Sequence, residues 1–380
     1  MASLPASISS SDHRRRRGVR AAVASLALAL VVCASAAPAA ARTDQPPTAP
    51  ETVASVLMYH RVGNSDHPTT NVTTAQFKAH LDYLQANDFE IVPLTRVIEA
   101  MELGEPLPPR TVAITFDDGY QSVGRTAHAL LTERGWPYTV FVNTAPVEAG
   151  MKGYMSWDRM RELAADGVRF GNHSRSHNPL FFRREGESRP QWRDRIRADL
   201  TAAQTRLREE LGEAVHQSPP LLAYPYGEYS LALMDTVADL GFVAFGQQSG
   251  AIGLHASSLA LPRFSFNERY GDVDGFAVKV HSRALPVTDQ SPLNPVRDDR
   301  EAPRLSLTLA PATDLRTDQL ACYYQGERLT PQRLEADRRF AVQGEAGLPM
   351  GRSRYNCTAP DADGRYFWFS QLWVVGDGGT

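Results

Sequence analysis

Two adjacent carboxylates, Asp117 and Asp118, stand between a hydrophobic run and Gly119. The run Thr111–Phe116 is rich in β-branched and apolar residues and predicts a buried strand, after which the glycine allows a sharp turn. Two carboxylates at the end of a buried strand are costly unless a cation or a hydrogen-bond network stabilises them. Because Asp-Asp-Gly is also ordinary turn chemistry, the pair indicates a functional site only if other residues supply partners.

Two histidines, His173 and His177, are candidate partners in a polar segment. If this segment formed a helical turn, the spacing of four residues would point both imidazoles to the same side. Two imidazoles and one carboxylate make a three-ligand site with open positions, which is the arrangement of a catalytic divalent metal. A pair of this spacing is also common on protein surfaces, so its position relative to the carboxylates decides between the two interpretations.

Strands and helices alternate over residues 53–282, and the segment contains no glycine-rich phosphate-binding loop. The alternation predicts an α/β fold with a parallel sheet, and its length favours a (β/α) barrel, in which the reacting groups lie at the C-terminal ends of the strands. Five candidate residues each follow a predicted strand: His60, Asp117, Asp118, His173 and Tyr226. These residues are therefore expected to meet at one end of the barrel. A further strand is predicted over residues 276–280, ending on His281.

The first 41 residues have the pattern of a secretory signal, with Arg14 to Arg17 before an apolar run and small residues up to Ala41. The run is short and rich in alanine, which disfavours a membrane span in the mature chain. Cleavage after Ala41 would leave a net charge of about −7, which gives no reason to expect nucleic acid as a partner. Export to the periplasm or the extracellular space, with association to the envelope as an option, is the corresponding prediction.

The composition of the remaining segments predicts a leader, a linker and a second domain. Residues 42–52 are rich in Pro and Thr and predict a flexible leader, and residues 283–303 are rich in Pro, Asp and Arg and predict a linker. Over residues 304–380 the hydrophobic period changes to two, which predicts a small all-β sandwich. Loss of the signal would leave Cys322 and Cys357, which an exported chain most simply joins in a disulfide.

Three segments resemble the first three motifs of the NodB-homology polysaccharide deacetylases (carbohydrate esterase family 4): Thr115–Gly119, His173–His177 and Tyr224–Gly227. Their order and their positions after strands agree with that family as well. The segment Val56–Arg61 is similar to the branch that includes the poly-β-1,6-N-acetylglucosamine deacetylases. The resemblance implies a distorted seven-stranded NodB-type barrel over residues 53–282 and a polysaccharide substrate.

The resemblance also implies roles for single residues. The metal ligands would be Asp118, His173 and His177, and the cofactor would be Zn²⁺, with Co²⁺ or Ni²⁺ as alternatives. Asp117 would be the general base, because its neighbour is occupied by the metal while Asp117 stays free to accept a proton from water. The backbone N–H of Tyr226 would stabilise the oxyanion.

The general acid is expected to be a histidine. The segment Val56–Arg61, which contains His60, resembles a branch of the family in which an early histidine protonates the leaving amine. His60 is therefore the first choice. His281 is the second choice, since Val278–Val280 before it looks like the usual late motif of the family. Lys279, however, interrupts that apolar run.

One departure from the family concerns the residue that orients the base. Many members carry an arginine shortly before Pro-Tyr-Gly, where this chain has Ala223 and Tyr224. Arg263 is expected to replace it. Tyr224 and Trp157 are further orienting or substrate-contacting candidates, with packing in the core as the alternative for Trp157.

Aromatic residues recur near the C-terminus, over residues 366–369 and at Trp373. Alternation along a strand would send Tyr366 and Trp368 to one face and Phe367 and Phe369 to the other. One face is needed for the core of the sandwich. The other is expected to be a surface that docks on the catalytic domain or a platform that contacts glycan.

These observations together predict a metal-dependent hydrolase that removes N-acetyl groups from an exported polysaccharide, with a polymer of N-acetylglucosamine as the first choice. One alternative keeps the site but acts on O-acetyl esters, as on xylan. The other alternative is a non-catalytic glycan-binding protein.

Overall fold

The structure is a computed structural model that describes residues 52–376, except residues 106, 109, 217, 313, 336 and 337. The predicted secretory signal and all but the last residue of the predicted leader lie outside the described residues. Within the described part of the chain, no helix is both long and apolar enough to cross a membrane.

The first part of the described chain alternates short strands with helices. Its strands are β1 (Thr52–Tyr59), β2 (Arg61–Val62), β3 (Asn71–Val72), β4 (Glu90–Ile91), β5 (Thr111–Phe116), β6 (Thr139–Val142), β7 (Arg169–Asn172), β8 (Leu221–Ala223), β9 (Val243–Phe245), β10 (Ile252–Gly253) and β11 (Phe264–Ser265). Its helices are α1 (Thr74–Ala86), α2 (Leu94–Leu103), α3 (His128–Thr132), α4 (Thr144–Glu148), α5 (Trp157–Ala165), α6 (Arg189–Leu211), α7 (Leu231–Asp239) and α8 (Val273–Val280). A π-helical turn over Val123–Ala127 leads into α3.

Six of these strands pair in parallel in the order β1, β5, β6, β7, β8 and β9. The segment 261–265 closes the ring, because Leu261 bridges to Phe245 of β9 while β11 pairs in parallel with β1. Strand β4 pairs with the first two residues of β5, so that β6 pairs only with its last two. The predicted distorted seven-stranded barrel is therefore confirmed.

Both faces of the barrel strands are buried, as a parallel sheet covered by helices requires. All six residues of β5 are buried. One face of the sheet packs Ala113, Phe141 and Phe245 in a cluster that includes Val97 of α2. The other face packs against the outer helices, as Ile114 does. The apolar runs of the sequence thus form a rigid ring whose strand ends can carry polar groups.

The strand predicted over residues 276–280 was wrong, because these residues lie in α8. Asp272 caps the helix, with its side chain accepting a hydrogen bond from the backbone N–H of Gly275. Phe276 and Val280, four residues apart, are the buried positions of the helix. Alternating valines suggested a strand, but the cap and the spacing of the buried residues favour a helix.

The rest of the described chain consists of β-strands with one 3₁₀ turn over Thr317–Gln319, as predicted for an all-β region. Its strands are β12 (Arg283–Ala284), β13 (Val287–Ser291), β14 (Val296–Arg297), β15 (Leu305–Leu309), β16 (Ala321–Tyr324), β17 (Glu327–Leu329), β18 (Gln332–Glu335), β19 (Arg339–Val342), β20 (Gly351–Pro360) and β21 (Tyr366–Val375). One sheet has the order β12-β21-β20-β16-β17, with β14 also on β21, and the second has the order β13-β15-β19-β18. The disulfide between Cys322 and Cys357 joins β16 to β20 and is buried.

The segment 283–303, expected to be a linker, contains the three strands β12, β13 and β14. Its prolines include Pro286 and Pro292, which lie just outside β13 rather than within it. Proline next to a strand is compatible with a sheet edge, so its frequency here did not indicate a linker. The boundary between the two predicted domains stays a prediction.

The last strand packs against the barrel. Leu372 and Val374 of β21 belong to the same buried cluster as Trp192 of α6. The ring of Trp368 lies edge-on to Phe264 of the closing segment, with ring centroids 5.5 Å apart. Of the predicted aromatic faces, Trp368 thus contacts the barrel, whereas Phe367 is buried in the core of the sandwich.

Candidate metal centre and active site

The ends of the barrel strands bring the predicted residues together. The structure places His60 after β1, Asp117 and Asp118 after β5, His173 after β7, Tyr226 after β8 and Arg263 in the closing segment. Each of these strands is fixed by parallel pairing with its neighbours, so the polar groups are carried by the most rigid part of the fold. The expectation that they share one end of the barrel agrees with this arrangement.

Asp118, His173 and His177 form a cluster that could hold a metal ion, with their ligand atoms all within 4.8 Å of one another. Asp118 Oδ1 lies 3.3 Å from His173 Nε2 and 3.1 Å from His177 Nε2. Asp118 and His173 are buried, whereas 22% of the His177 side chain is exposed. The cluster is therefore accessible from the side of His177.

The hydrogen bond of His173 shows that this donor set fits a cation. Its Nδ1 is 2.7 Å from the carbonyl oxygen of Ala223, which can only accept, so Nδ1 carries the proton. In the neutral ring, Nε2 then directs a lone pair at Asp118 Oδ1, which is also an acceptor. Metal–ligand bonds of about 2.0–2.1 Å in a tetrahedral site separate the donor atoms by roughly 3.3 Å, close to the spacing seen here. A carbonyl that fixes the tautomer of a ligating histidine is likewise typical of metal sites.

The charges of the cluster reinforce one another. Burial opposes ionisation of Asp118, but hydrogen bonds that His173 and His177 donate when their rings are protonated hold the pKa of its carboxyl well below the ordinary value. Burial disfavours protonation of His173, but the hydrogen bond to Asp118 raises the pKa of its imidazole above the ordinary value. Positive charge is thus favoured at the centre of this cluster, whether a proton or a cation supplies it.

The two histidines converge through a loop rather than through the helical turn that their spacing suggested. Ser174 and His177 have φ values of 64° and 55°. Asn172 Oδ1 accepts a hydrogen bond from the N–H of Ser174 at 2.8 Å, and Ser174 Oγ accepts one from the N–H of His177 at 2.9 Å. Asn172 is in turn held by α6, since its Nδ2 donates to the carbonyl of Leu200. Side-chain acceptors thus fix the loop that carries the ligands.

Unusual backbone conformations concentrate at this end of the barrel. Among the residues that the structure describes, eight non-glycine residues have positive φ, and half of these lie at the site: Asp118, Ser174, His177 and Tyr226. Tyr226, with φ 60°, is a bulky residue in a region that favours glycine. Such strain persists only where the surroundings impose it, and it is typical of functional sites.

Asp117 is paired with Arg263, and both side chains are completely buried. The guanidinium donates from Nη1 to Oδ1 and from Nη2 to Oδ2, each at 2.8 Å. It also donates from Nε to the carbonyl of Gly246 at 3.0 Å, which fixes its plane. Burial opposes ionisation of Asp117, but the charges of Arg263 and His173 hold the pKa of its carboxyl below the ordinary value. The carboxylate is therefore kept ionised and oriented.

His60 lies beside this group. It is partly exposed, and its Nδ1 is buried without a hydrogen-bond partner among the described residues. Burial lowers the pKa of its imidazole, although the charges of Asp118 and Asp117 act in the opposite direction. The charges of both carboxylates thus act on the imidazole, and its Nδ1 has no hydrogen-bond partner among the described residues.

His281, the second choice for the general acid, lies elsewhere. Its Nε2 is 3.1 Å from the hydroxyl of Tyr83, and its ring packs against Phe89 at a centroid distance of 4.9 Å. The pKa of its imidazole is lowered by burial and by the charges of Arg110 and Arg365, not by the site carboxylates. Arg110 immediately precedes β5, so His281 lies at the opposite end of the strands from Asp117.

The other aromatic candidates differ in exposure. Tyr224 is completely buried and its hydroxyl donates to the carbonyl of Leu259 at 3.0 Å, so it is a core residue and not accessible to substrate. Tyr226 keeps 37% of its surface exposed, and its ring lies 4.7 Å from that of His177. Trp157 is partly buried against the cluster that contains Ile114, and it borders a surface groove.

That groove has a volume of about 640 Å³ and is bordered by Gln121, Tyr154 and Trp157. Tyr154 pairs with Tyr120, which follows the Asp-Asp-Gly turn, and their ring centroids are 4.9 Å apart. The guanidinium of Arg61 lies 3.4 Å from the centre of the Tyr120 ring. Trp157 was a candidate from the sequence, and Arg61 is the last residue of the segment Val56–Arg61. Tyr154 and Tyr120 were not predicted, although Tyr120 directly follows the Asp-Asp-Gly motif. Tyr154 thus connects the groove to Tyr120, the residue that follows the Asp-Asp-Gly turn.

The ring of parallel strands, with an Asp-His-His cluster and a second buried carboxylate at its strand ends, places the chain among α/β proteins with a candidate metal site. Residues 104–245 match the family model described as polysaccharide deacetylase. The chain therefore carries a polysaccharide deacetylase domain of the NodB-homology type, as its motifs predicted.

Several known proteins are similar to this chain. The poly-β-1,6-N-acetyl-D-glucosamine N-deacetylase of Escherichia coli K12 is 24% identical over 54% of this chain, which corresponds to 35% of that protein. The chain therefore spans about a third of the length of this relative. Two solved structures share the fold: IcaB from Ammonifex degensii, with 23% identity and a TM-score of 0.52 over 61% of this chain and 98% of that one, and the Streptococcus pyogenes deacetylase PplD in complex with acetate, with 19% identity and a TM-score of 0.53 over 61% and 99%.

Proposed function

We propose that this protein is a metal-dependent deacetylase that hydrolyses N-acetyl groups of an exported polysaccharide, with a polymer of N-acetylglucosamine as the substrate. The observation that carries the proposal is the division within the carboxylate pair. Asp118 faces two imidazole nitrogens in a spacing that suits a metal ion, while its neighbour Asp117 is turned to Arg263. One carboxylate is thus available for the metal and the other for proton transfer.

Asp118, His173 and His177 would hold the divalent cation, for which we propose Zn²⁺ with Co²⁺ or Ni²⁺ as alternatives. A cation bound there supplies Lewis-acid chemistry, which activates water and polarises an acyl carbonyl. The exposed edge of His177 leaves the open side of the cluster toward solvent and substrate.

Asp117 would accept the proton of the attacking water. Arg263 occupies one lone pair on each carboxylate oxygen, and the remaining lone pairs stay available for a proton. The bidentate pairing fixes the plane of the carboxylate, so the base needs no reorganisation during the reaction. As the water oxygen bonds to the acetyl carbon, the carbonyl oxygen gains negative charge, and the backbone N–H of Tyr226 would donate to it.

His60 would donate the proton that the leaving amine needs when the carbon–nitrogen bond breaks, releasing acetate and a free amino group. The burial that lowers its pKa makes the imidazolium a stronger acid, and the nearby carboxylates limit this effect. A proton passed from Asp117 to His60 would restore both groups for the next cycle.

The groove beside Tyr154 and Trp157 supports a polymeric substrate, because aromatic side chains present flat apolar surfaces that suit sugar rings. The named activity of the Escherichia coli relative supports N-acetylglucosamine as the unit. That activity is consistent with export, which the N-terminal sequence independently predicts. Glycan contact through the C-terminal sheets, where Tyr366 is exposed, is part of the same proposal.

Acetate release from a panel of glycans tests this proposal. The metal-free protein would be reconstituted with Zn²⁺, Co²⁺ or Ni²⁺ and incubated with β-1,6- and β-1,4-linked N-acetylglucosamine oligomers and with O-acetylated xylan. We expect acetate and free amine from an N-acetylated oligomer, dependent on metal. Acetate from xylan alone would assign the site to an esterase. Glycan binding without any acetate release would assign the protein to the non-catalytic class.

A further inference from the structure

Arg352, far from the catalytic motifs in sequence, reaches the loop that carries Tyr226. It belongs to β20, in the C-terminal sheets, and its Nη1 donates a hydrogen bond to the backbone carbonyl of Tyr226. The same Nη1 lies 3.3 Å from the side-chain oxygen of Gln247, which follows β9. One guanidinium from the C-terminal sheets thus joins the loops that follow two neighbouring barrel strands.

A buried carboxylate completes this contact. Glu228, two residues after Tyr226, is only 9% exposed, and its Oε1 is 3.5 Å from Nε of Arg352. Arg352 is the cation that faces it. The guanidinium is therefore held from two sides of the same loop, by a carbonyl and by a carboxylate.

The carbonyl that Arg352 contacts belongs to a residue with an unfavourable backbone conformation. Tyr226 has φ 60°, so the loop resists relaxation only as long as its surroundings impose this conformation. On the side of Gln247 there is no spare room, since a Cβ at Gly227 would come within 2.4 Å of the Gln247 Cβ. Arg352 contacts both the Tyr226 carbonyl and the Gln247 side chain. Both the N–H of Tyr226 and the ring that lies against His177 depend on this backbone geometry.

Arg352 itself is well anchored. It pairs in register with Val374 of β21, and Val374 is buried in the cluster that the C-terminal sheets share with α6. Although the side chain of Arg352 is 36% exposed, its backbone is thus fixed by the packing of the C-terminal sheets on the barrel.

We propose that Arg352 is a positioning residue of the active site, through which the C-terminal sheets hold the Tyr226 loop in the conformation that presents its backbone N–H to the developing oxyanion. This inference rests on the proposed deacetylase function. It makes the C-terminal β region a part of the catalytic apparatus, in addition to any contact with glycan.

The test is a kinetic comparison of Arg352→Ala, Arg352→Lys and the control Arg328→Ala on the best N-acetylated oligomer. Arg328 is an exposed arginine in β17 of the same sheet and has no ion pair among the described residues. We expect Arg352→Ala to lower kcat about ten- to a hundredfold with KM changed less than about threefold, because a misplaced donor affects mainly the transition state. Arg352→Lys should recover part of kcat, and Arg328→Ala should match the wild type.

A double variant separates positioning from charge balance. If Arg352 only neutralised Glu228, then Glu228→Gln combined with Arg352→Ala would restore kcat. Positioning predicts that the double variant stays as slow as Arg352→Ala, with metal content and melting temperature near those of the wild type. Wild-type kcat in Arg352→Ala, or restoration in the double variant, would overturn the inference. Failure of the wild type on every glycan would instead overturn the proposed function.

Discussion

This barrel has His80 in one place and the cluster histidines His173 and His177 in another, and these two groups differ in how their ring nitrogens are engaged. Between α1 and α8, His80 has both nitrogens paired, with Nδ1 3.0 Å from the Tyr59 hydroxyl and Nε2 3.0 Å from the Gly271 carbonyl. Its ring stacks on Phe276 at a centroid distance of 4.1 Å. At the C-terminal ends of the strands, His173 has one nitrogen paired with a carbonyl and the other directed at a carboxylate oxygen that is shared with His177.

His80 and His173 are both buried, so completeness of hydrogen bonding, rather than burial, distinguishes them. A buried polar group that is fully paired within the chain stabilises the fold and needs nothing else. In the Asp-His-His cluster, acceptor atoms face one another, and a positive charge between them is needed to stabilise this arrangement.

The largest effect is expected for Asp117→Asn. An amide cannot accept the proton, so kcat should fall by about 10⁴-fold, near the upper limit for loss of general acid–base catalysis. Metal content, measured by mass spectrometry, should stay at the wild-type level because Asp118 is unchanged. Arg263 would then be a buried cation without its counter-ion, so a destabilisation of about 3–5 kcal/mol is expected in a denaturant titration. Turnover within tenfold of the wild type would contradict the assignment of the base.

His177→Ala should disrupt the cluster, in contrast to a change at His80. Removal of a ligand should lower metal affinity by more than the roughly 10–100-fold loss that follows removal of a residue that only supports a ligand. The measurement is metal stoichiometry after dialysis, with His80→Gln as the matched control that should retain its metal. Unchanged stoichiometry in His177→Ala would remove this residue from the ligand set.

His60→Ala and His281→Ala address the choice between the two candidate acids. His60 lies beside the carboxylates, so its loss should lower kcat about 10²–10³-fold and remove one limb of the pH–rate profile. His281 hydrogen-bonds to Tyr83 at the other end of the strands, so its replacement should leave kcat within about twofold of wild type. A larger loss in His281→Ala than in His60→Ala would reverse the assignment.

The residues that could be predicted from the sequence are those that come directly after a predicted strand. Asp117, Asp118 and His173 each follow an apolar run, and parallel strands place such ends together whatever the loops do. The pairing of Arg263 with Asp117 was an expectation from the family pattern, and the geometry shows a bidentate contact. The backbone that brings His177 into the cluster was not predictable, since its positive φ depends on side chains of the loop itself.

The features that could not be predicted depend on long-range packing. Residues 276–280 alternate in a manner that suits a strand, and only the cap at Asp272 and the partners of Phe276 favour the helix. Arg352 is 126 residues from Tyr226 in sequence and carries no local motif. Its contact exists because β21 packs on the barrel, which no pattern within β20 indicates.

The smallest effect concerns the stability of the fully paired group. Burial lowers the pKa of His80 from 6.5 to about 4, partly offset by its hydrogen bond to the Gly271 carbonyl. The unfolded chain therefore binds this proton at a higher pH than the folded chain. The contribution of His80 to the free energy of unfolding is fully present above pH 6.5 and is lost as the pH falls toward 4. The loss from this one residue should reach about 3 kcal/mol.

His80→Gln should flatten this dependence, because glutamine has no proton to gain. Chemical denaturation of both proteins at several pH values between 7 and 4 measures it, and the difference in free energy of unfolding between wild type and variant should shrink by up to about 3 kcal/mol across that range. Since His80 does not touch the metal cluster, metal content should not change with the substitution. Parallel pH curves for the two proteins would show that burial of His80 does not control this loss, and the contrast between the two groups of histidines would then rest on the metal cluster alone.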